Sequence, residues 1–119
     1  MNLLTDLLTL QNQLKIFHWQ TKSYAQHVAF GGAHDDLISL IDEFIEVFQG
    51  KYGRIKAKDV FVIELHNLKE DYKNSINTNI EYLTNDVPKA LSTKDTDLLN
   101  IRDEMLSVLN KLKYLLTLE

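Results

Sequence analysis

The chain has 119 residues, no cysteine and a formal net charge of −4. This length is typical of one domain, so we expect residues 1–119 to form a single unit. The absence of cysteine excludes iron–sulfur clusters, thiol catalysis and a disulfide scaffold. The acidic balance argues against a dedicated nucleic-acid-binding protein, which usually carries a basic surplus. One proline and four glycines leave few chain breakers, which favours long helices over an all-β fold.

The sequence has no recognisable targeting or membrane segment. Its first ten residues lack a basic start, and Asp6 interrupts their apolar run. No stretch approaches the roughly 18 apolar residues that a membrane span needs. The sequence therefore predicts a cytoplasmic protein with no membrane partner.

Apolar residues recur every three or four positions in four segments, which is the pattern of amphipathic helices. In the first two segments they are Leu3, Leu7, Leu10, Leu14 and Phe17, followed by Phe30, Leu37, Ile41, Phe44 and Phe48. In the last two they are Phe61, Leu65, Leu68, Tyr72, Ile76, Ile80 and Leu83, followed by Leu98, Ile101, Met105, Leu109, Leu112 and Leu116. Helices of about 20 residues would each be about 30 Å long.

Capping residues and breakers predict where these helices begin and end. Asp59 is a candidate N-cap for the third helix, and Ser92 or Thr93 for the fourth. Pro88 is expected to end the third helix, since proline cannot continue a helical run. Four apolar stripes predict an all-α protein, an antiparallel four-helix bundle. A three-helix bundle and a coiled coil are the alternatives.

One face of the second helix combines apolar and charged residues. At 100° per residue, His27, Ile38, Ile45, Asp42 and Glu46 lie within about 100° of one another, outside the core stripe. Two carboxylates four residues apart repel unless a cation or a proton separates them. This mixture indicates a half-buried contact between subunits that holds a charged group. A plain solvated face is the alternative.

The residues that carry chemistry resemble a known family. The run Phe17-His18-Trp19-Gln20-Thr21, then His27, then Asp42-Glu43-x-x-Glu46, resembles the Dps-type miniferritins. Those ferritin-like four-helix proteins assemble into small hollow cages and oxidise ferrous iron, often with peroxide. The stretches around Ser23 and from Gln49 to Arg54 also resemble short ferritin-like proteins that are often virus-borne, which would place the chain in a host cytoplasm.

The resemblance implies a ferroxidase centre shared by two chains. His18 and His27 of one chain, with Asp42 and Glu46 of its two-fold partner, would be the catalytic and metal-binding residues. The bound metal would be iron, in a possible di-iron centre, and such a site mixes the nitrogen and oxygen ligands that suit iron. The resemblance further implies a homo-oligomer, at least a two-fold dimer and up to a dodecameric cage.

The sequence departs from the family pattern at several points. The family has an aspartate four residues after the second histidine, where this chain has Gly31, so Asp35 or His34 would have to substitute as a metal ligand. Gly31-Gly32 also predicts a break that leaves His27 in a loop. A ferritin-like crossover must span the bundle, and Gly50 to Asp59 reaches only about 33 Å. Either this segment runs extended along the bundle, or the topology is up-down-up-down.

Two other functions compete with iron oxidation. The first is a metal-free structural or adaptor bundle that oligomerises, motivated by Gly31 and by the short connections. The second is a nucleic-acid accessory protein that uses the basic loop containing Lys51, Arg54, Lys56 and Lys58. Nucleic-acid binding is not expected, because four basic residues in an acidic chain are a weak signal.

Overall fold

The computed structural model describes residues 2–119. Within this range lie four α-helices: α1 (Leu3–Gln20), α2 (Tyr24–Tyr52), α3 (Tyr72–Glu81) and α4 (Thr96–Leu115). A π-helical turn (Tyr82–Asp86) and a 3-10 turn (Val87–Ala90) continue α3, so the helical run ends two residues beyond Pro88. Residues 2–119 contain no strand, which confirms the prediction of an all-helical protein. No helix among these residues is both long and apolar enough to span a membrane.

The first two helices form a hairpin. The side chain of Asn2 caps α1 by accepting a hydrogen bond from the backbone N–H of Thr5, and Ser23 caps α2 in the same way through Gln26. The expected break at Gly31-Gly32 is wrong, because α2 is continuous over 29 residues and His27 lies in its first turns. A glycine inside a helix costs only about 1 kcal/mol, which the packing of α2 against α1 and α4 offsets.

The predicted start of the third helix is also wrong. Residues 53–71, here called the crossing segment, contain no helix. Asp59 therefore caps no helix, and α3 begins at Tyr72. Of the apolar residues that suggested a helix there, Phe61 and Leu65 are exposed instead of buried, and Leu68 is half-buried. The segment includes the β-branched run around Val60, which favours extended backbone.

Glutamines of α1 hold the crossing segment in place. The buried amide of Gln13 donates to the backbone carbonyl of His66 and accepts from its N–H, both at 2.7 Å. Gln20 accepts from the N–H of Leu68 at 2.7 Å and donates to the side chain of Asn67. At the other end of α1, Asn2 donates to the carbonyl of Lys56 at 3.5 Å. The segment therefore runs extended along the whole of α1, in the same direction.

These contacts fix the directions of the helices. The turn at residues 21–23 makes α2 antiparallel to α1, and the crossing segment returns the chain to the end where α2 began, where Gln26 bonds the hydroxyl of Tyr72. The third helix therefore starts beside the start of α2 and runs parallel to it. Lys51, at the end of α2, contacts Asp95 before α4, so α4 runs antiparallel to α2. Of the two topologies considered, the structure has the crossover and not up-down-up-down.

One hydrophobic core joins the four helices. Most of the predicted apolar stripes of the first, second and fourth segments are buried, although Phe48 is only half-buried. The third helix contributes one fully buried residue, Ile76, and the two turns that continue it contribute Leu83 and Val87. The core therefore rests chiefly on α1, α2 and α4.

Asp95 locks the corner between α3 and α4. It occupies the N-cap position of α4, where the sequence suggested Ser92 or Thr93, and it is only 6% exposed. Its carboxylate accepts hydrogen bonds from the Tyr52 hydroxyl, from the backbone N–H of Ser92 at 2.8 Å and from Lys51 at 3.1 Å. These donors, with the Tyr52 hydroxyl foremost, lower the pKa of the Asp95 carboxyl. Because Lys51 forms ion pairs with Asp95 and Asp97, its charge is not free to bind nucleic acid together with Arg54, Lys56 and Lys58.

The corner predicts how stability depends on pH. Since the pKa of Asp95 is lower in the folded chain than its unfolded value of about 3.9, ionised Asp95 stabilises the fold above that pH. The contribution is lost as pH falls through the folded-state pKa. Asp95→Asn should lower the melting temperature at pH 7, and the difference from wild type should shrink below about pH 4. Asp97→Asn is the control: Asp97 also bonds Lys51 but is exposed, so its effect should be smaller. Equal effects of the two variants at pH 7 would contradict this role for Asp95.

Candidate metal site

His18 and His27 form a reciprocal pair across the α1–α2 turn. The Nδ1 of His18 lies 2.6 Å from the carbonyl oxygen of His27, and the Nδ1 of His27 lies 2.8 Å from the carbonyl oxygen of His18. The two rings stack with centroids 3.8 Å apart and planes 18° apart. Both histidines are half-buried. Each ring is therefore held by the backbone of the opposite helix.

This hydrogen bonding selects one tautomer in both rings. A carbonyl oxygen can only accept, so Nδ1 carries the proton and donates in His18 and in His27. In the neutral rings, both Nε2 atoms then keep a lone pair with no hydrogen-bond partner among residues 2–119. A ring whose Nδ1–H is held by a carbonyl is the usual arrangement of a metal-binding histidine. The pair thus offers two oriented nitrogen ligands.

Gly31 makes room for this pair. A Cβ at position 31 would lie 2.8 Å from Cε1 and 2.8 Å from Nδ1 of the His18 ring, closer than such atoms approach. The position that the family pattern assigns to an aspartate is therefore occupied by the ring of His18. Gly32 differs, because a Cβ there meets nothing within 4 Å. We interpret Gly31 as a packing requirement of the histidine pair.

Asp42 and Glu46 lie far from the histidines of the same chain. Both are exposed on α2, and Asp42 is about 22 Å beyond His27 at 1.5 Å per residue. Accordingly, no group of three or more His, Asp or Glu side chains within residues 2–119 could hold a metal ion by itself. A centre that contains both the histidines and these carboxylates needs a second copy of the chain.

Asp35 and His34 do not approach the histidine pair. The exposed carboxylate of Asp35 lies 3.3 Å from Nδ1 of His34, whose side chain is buried. Along α2, Asp35 is about 12 Å from His27, roughly midway to Asp42. Neither residue takes the place of the missing aspartate within one chain.

An apolar groove lies between α1 and α2, on the face of α2 that carries Asp42. It has a volume of about 410 Å³ and is bordered by Asp42. Its lining includes Leu4, Leu8 and Ile45, which are half-buried, and Ile38, which is exposed. The face that carries Asp42 is therefore partly apolar, as the sequence predicted from the positions of Ile38 and Ile45.

Sequence reasoning missed the reciprocal bonds and the role of Gly31. A signal was available: His18 lies three positions before the turn residues 21–23 and His27 four positions after them, so in a helical hairpin they come close to each other. The expected break at the two glycines concealed it, because it placed His27 in a loop.

Substitution of the two adjacent glycines by alanine should affect the free energy of unfolding differently. Gly32→Ala should stabilise the chain by about 1 kcal/mol, because alanine favours a helix and the space is open. Gly31→Ala should forgo that gain and displace the His18 ring, because its Cβ meets the ring. Chemical denaturation measures the stabilities, and the two imidazole Nδ1–H resonances report on the pair by NMR. Equal stabilisation with both resonances retained in Gly31→Ala would contradict the packing role.

Comparison with known proteins yields a family and nothing more specific. Neither the curated proteins nor the solved structures include a match to the chain. A family model matches residues 18–116, which include the histidine pair, both carboxylates and all of α4. The chain therefore belongs to a family of unknown function, DUF5856.

Proposed function

We propose that this chain is a ferritin-like, Dps-related protein that binds ferrous iron and oxidises and sequesters it at a centre between two subunits. The observation that carries the proposal is the reciprocal pair of His18 and His27, which leaves two Nε2 lone pairs oriented for metal. In this proposal His18 and His27 belong to one chain, whereas Asp42 and Glu46 belong to the other.

The topology supports the ferritin-like part of the proposal. Ferritin-like folds are four-helix bundles with one long crossover connection. Here the crossing segment, residues 53–71, spans the bundle and makes α2 and α3 parallel. Bundles joined only by short loops have alternating directions instead.

The outer groove supports pairing of two chains about a two-fold axis. For His27 of one chain to meet Asp42 and Glu46 of the other, the axis must cross α2 about midway between them, near Asp35 and Asp36. A two-fold interface uses the same patch on both subunits. The half-buried Leu8 and Ile45 and the exposed Ile38 lie on this patch, so pairing would bury apolar surface and complete two identical centres.

The ring geometry favours a centre with two iron ions. Imidazole lone pairs lie in the ring plane, and two stacked rings whose centroids are 3.8 Å apart and whose planes are only 18° from parallel are poorly placed to share one in-plane ion. Each ring would therefore bind its own ion, and the carboxylates of the partner would balance the positive charge of the two ions. Two ferrous ions supply the two electrons that reduce one hydrogen peroxide to two waters, with two protons consumed and two ferric ions formed.

Iron oxidation tests the proposal directly. Ferrous iron is added to the protein without oxygen, peroxide is admitted, and the ferric absorbance is followed. Asp42→Ala and Glu46→Ala should each lower the rate about 10- to 100-fold, the usual cost of losing a group that a metal site depends on. Glu43→Ala is the matched control, because Glu43 is an exposed neighbour on a different face of α2 and should keep the wild-type rate.

A mixing experiment tests whether the centre is shared. His27→Ala and Asp42→Ala should each keep at most about a tenth of the wild-type rate alone. After unfolding and refolding together, half of the dimers are mixed, and each mixed dimer has one intact centre of two. The mixture should therefore recover about a quarter of the wild-type rate. Recovery of no activity would contradict a centre made by two chains.

The metal-free alternative predicts different results in the same assays. An oligomerising structural bundle would oxidise iron no faster than buffer does. It would also show no rise in melting temperature with ferrous iron or Zn²⁺, whereas a metal that binds only the native state must raise it. These two results together would replace the iron proposal with the structural one.

A further inference from the structure

One end of the bundle, here called the turn end, brings together parts of the chain that are distant in sequence. α1 ends and α2 begins there, and α3 starts beside them, where the side chain of Gln26 bonds the hydroxyl of Tyr72. The last turns of α4 lie at the same end, because α4 runs antiparallel to α2 and Lys111 lines the same groove as Tyr24. The turn end comprises residues 15–28, 69–73 and 111–119.

The turn end is basic, although the chain as a whole is acidic. It carries six lysines but only three acidic side chains, and residues 15–28 contain no acidic residue at all. The remainder of the chain therefore holds most of the negative charge. Five of the lysines are exposed and have no ion-pair partner among residues 2–119; these are Lys22, Lys69, Lys73, Lys111 and Lys113. Their charges attract an anionic surface.

Aromatic side chains are exposed at the same end as these lysines. Trp19 is 65% exposed and Tyr24 is 81% exposed, and Tyr114 is also exposed. The aliphatic side chains of Val28 and Leu118 are exposed there as well. Exposed apolar side chains that gather on one surface mark an interaction site. Tryptophan and tyrosine have an apolar ring with a polar tip, which suits the boundary between water and lipid headgroups.

We propose that the turn end docks on the surface of an anionic lipid bilayer. The lysines contact the negatively charged headgroups, while Trp19 and Tyr24 enter the headgroup layer. Val28 and Leu118 lie at the boundary of the acyl chains, as the apolar face of a surface-bound helix does. The expectation that the chain has no membrane partner came from the lack of a spanning segment, and a surface contact needs none.

Nucleic acid is the other polyanion that contacts lysines and aromatic rings. The aliphatic side chains favour the lipid surface, because phosphates and sugars offer Val28 and Leu118 no apolar contact. Both residues also line the groove of about 420 Å³ between α2 and α4, whose other lining residues are largely apolar. The apolar surface therefore continues from the turn end along the side of the bundle, beyond the aromatic rings on which bases stack.

The lipid contact does not depend on the iron proposal. The two-fold axis proposed for the iron centre crosses α2 near Asp35 and Asp36, so the two turn ends of such a dimer point away from each other. A bilayer contact at one turn end therefore requires neither the second chain nor the metal.

The fluorescence of the chain reports directly on this contact, because Trp19 is its only tryptophan. When the wild-type chain is mixed with vesicles of phosphatidylserine and phosphatidylcholine, the emission should shift to shorter wavelength, and brominated acyl chains should quench it. Vesicles of phosphatidylcholine alone should leave the emission unchanged. Added salt should reverse the shift, since it screens the attraction between lysines and headgroups.

Matched variants test which side chains make the contact. Lys22→Gln and Lys113→Gln should each weaken vesicle binding about fivefold, the usual contribution of one lysine near an anionic surface, as measured by cosedimentation. Lys94→Gln is the control, because Lys94 is exposed without an ion pair among residues 2–119 but lies at the opposite end, before α4. Tyr24→Ser should also weaken binding, whereas Phe61→Ser, which changes an exposed ring outside the turn end, should not.

Three results would overturn the proposal. The first is a wild-type chain that does not bind anionic vesicles even at low salt. The second is an equal loss of binding in Lys94→Gln and Lys22→Gln. The third is a chain that binds a single-stranded oligonucleotide but not the vesicles, which would replace the lipid surface with nucleic acid. Vesicle binding should be unchanged in Asp42→Ala, so the lipid and iron proposals fail separately.

Discussion

The parallel arrangement of α2 and α3 is the constraint on which much of this structure depends. Because both helices start at the same end, the chain must travel the length of the bundle between them. It does so as the extended crossing segment, which is held by hydrogen bonds from Gln13 and Gln20 and by the packing of Ile55 and Leu68 against the core. The long connection gives the bundle its topology and also leaves apolar side chains from Val60 to Leu65 exposed.

The sequence predicted the helices well where burial and periodicity agree. The stripes of α1, α2 and α4 are spaced as helices require, and most of their residues are buried. The third helix was placed too early, because Phe61, Leu65 and Leu68 have helical spacing although two of them are exposed. Spacing cannot distinguish a core stripe from apolar residues that remain exposed. The local signal that opposed a helix there was the group of β-branched residues Val60, Val62 and Ile63.

The candidate site was predictable as residue types but not as geometry. The pattern of His18, His27, Asp42 and Glu46 could be read from the chain, and the carboxylates were expected to act across a subunit contact. What the pattern could not supply is the pair of histidine-to-carbonyl bonds, because these join atoms of two helices. Gly31 looked like a lost ligand for the same reason, although its lack of a side chain accommodates the His18 ring.

The location of the histidine pair beside the α1–α2 turn has a consequence for the order of folding. The two residues are only nine positions apart, so their contact closes a short loop at little entropic cost. The crossing segment, by contrast, joins Gln13 to His66 across 53 positions. Local contacts of this kind form early, and distant ones form late. The two imidazole rings are therefore expected to be in place as soon as the first hairpin has formed, before the chain has completed its bundle.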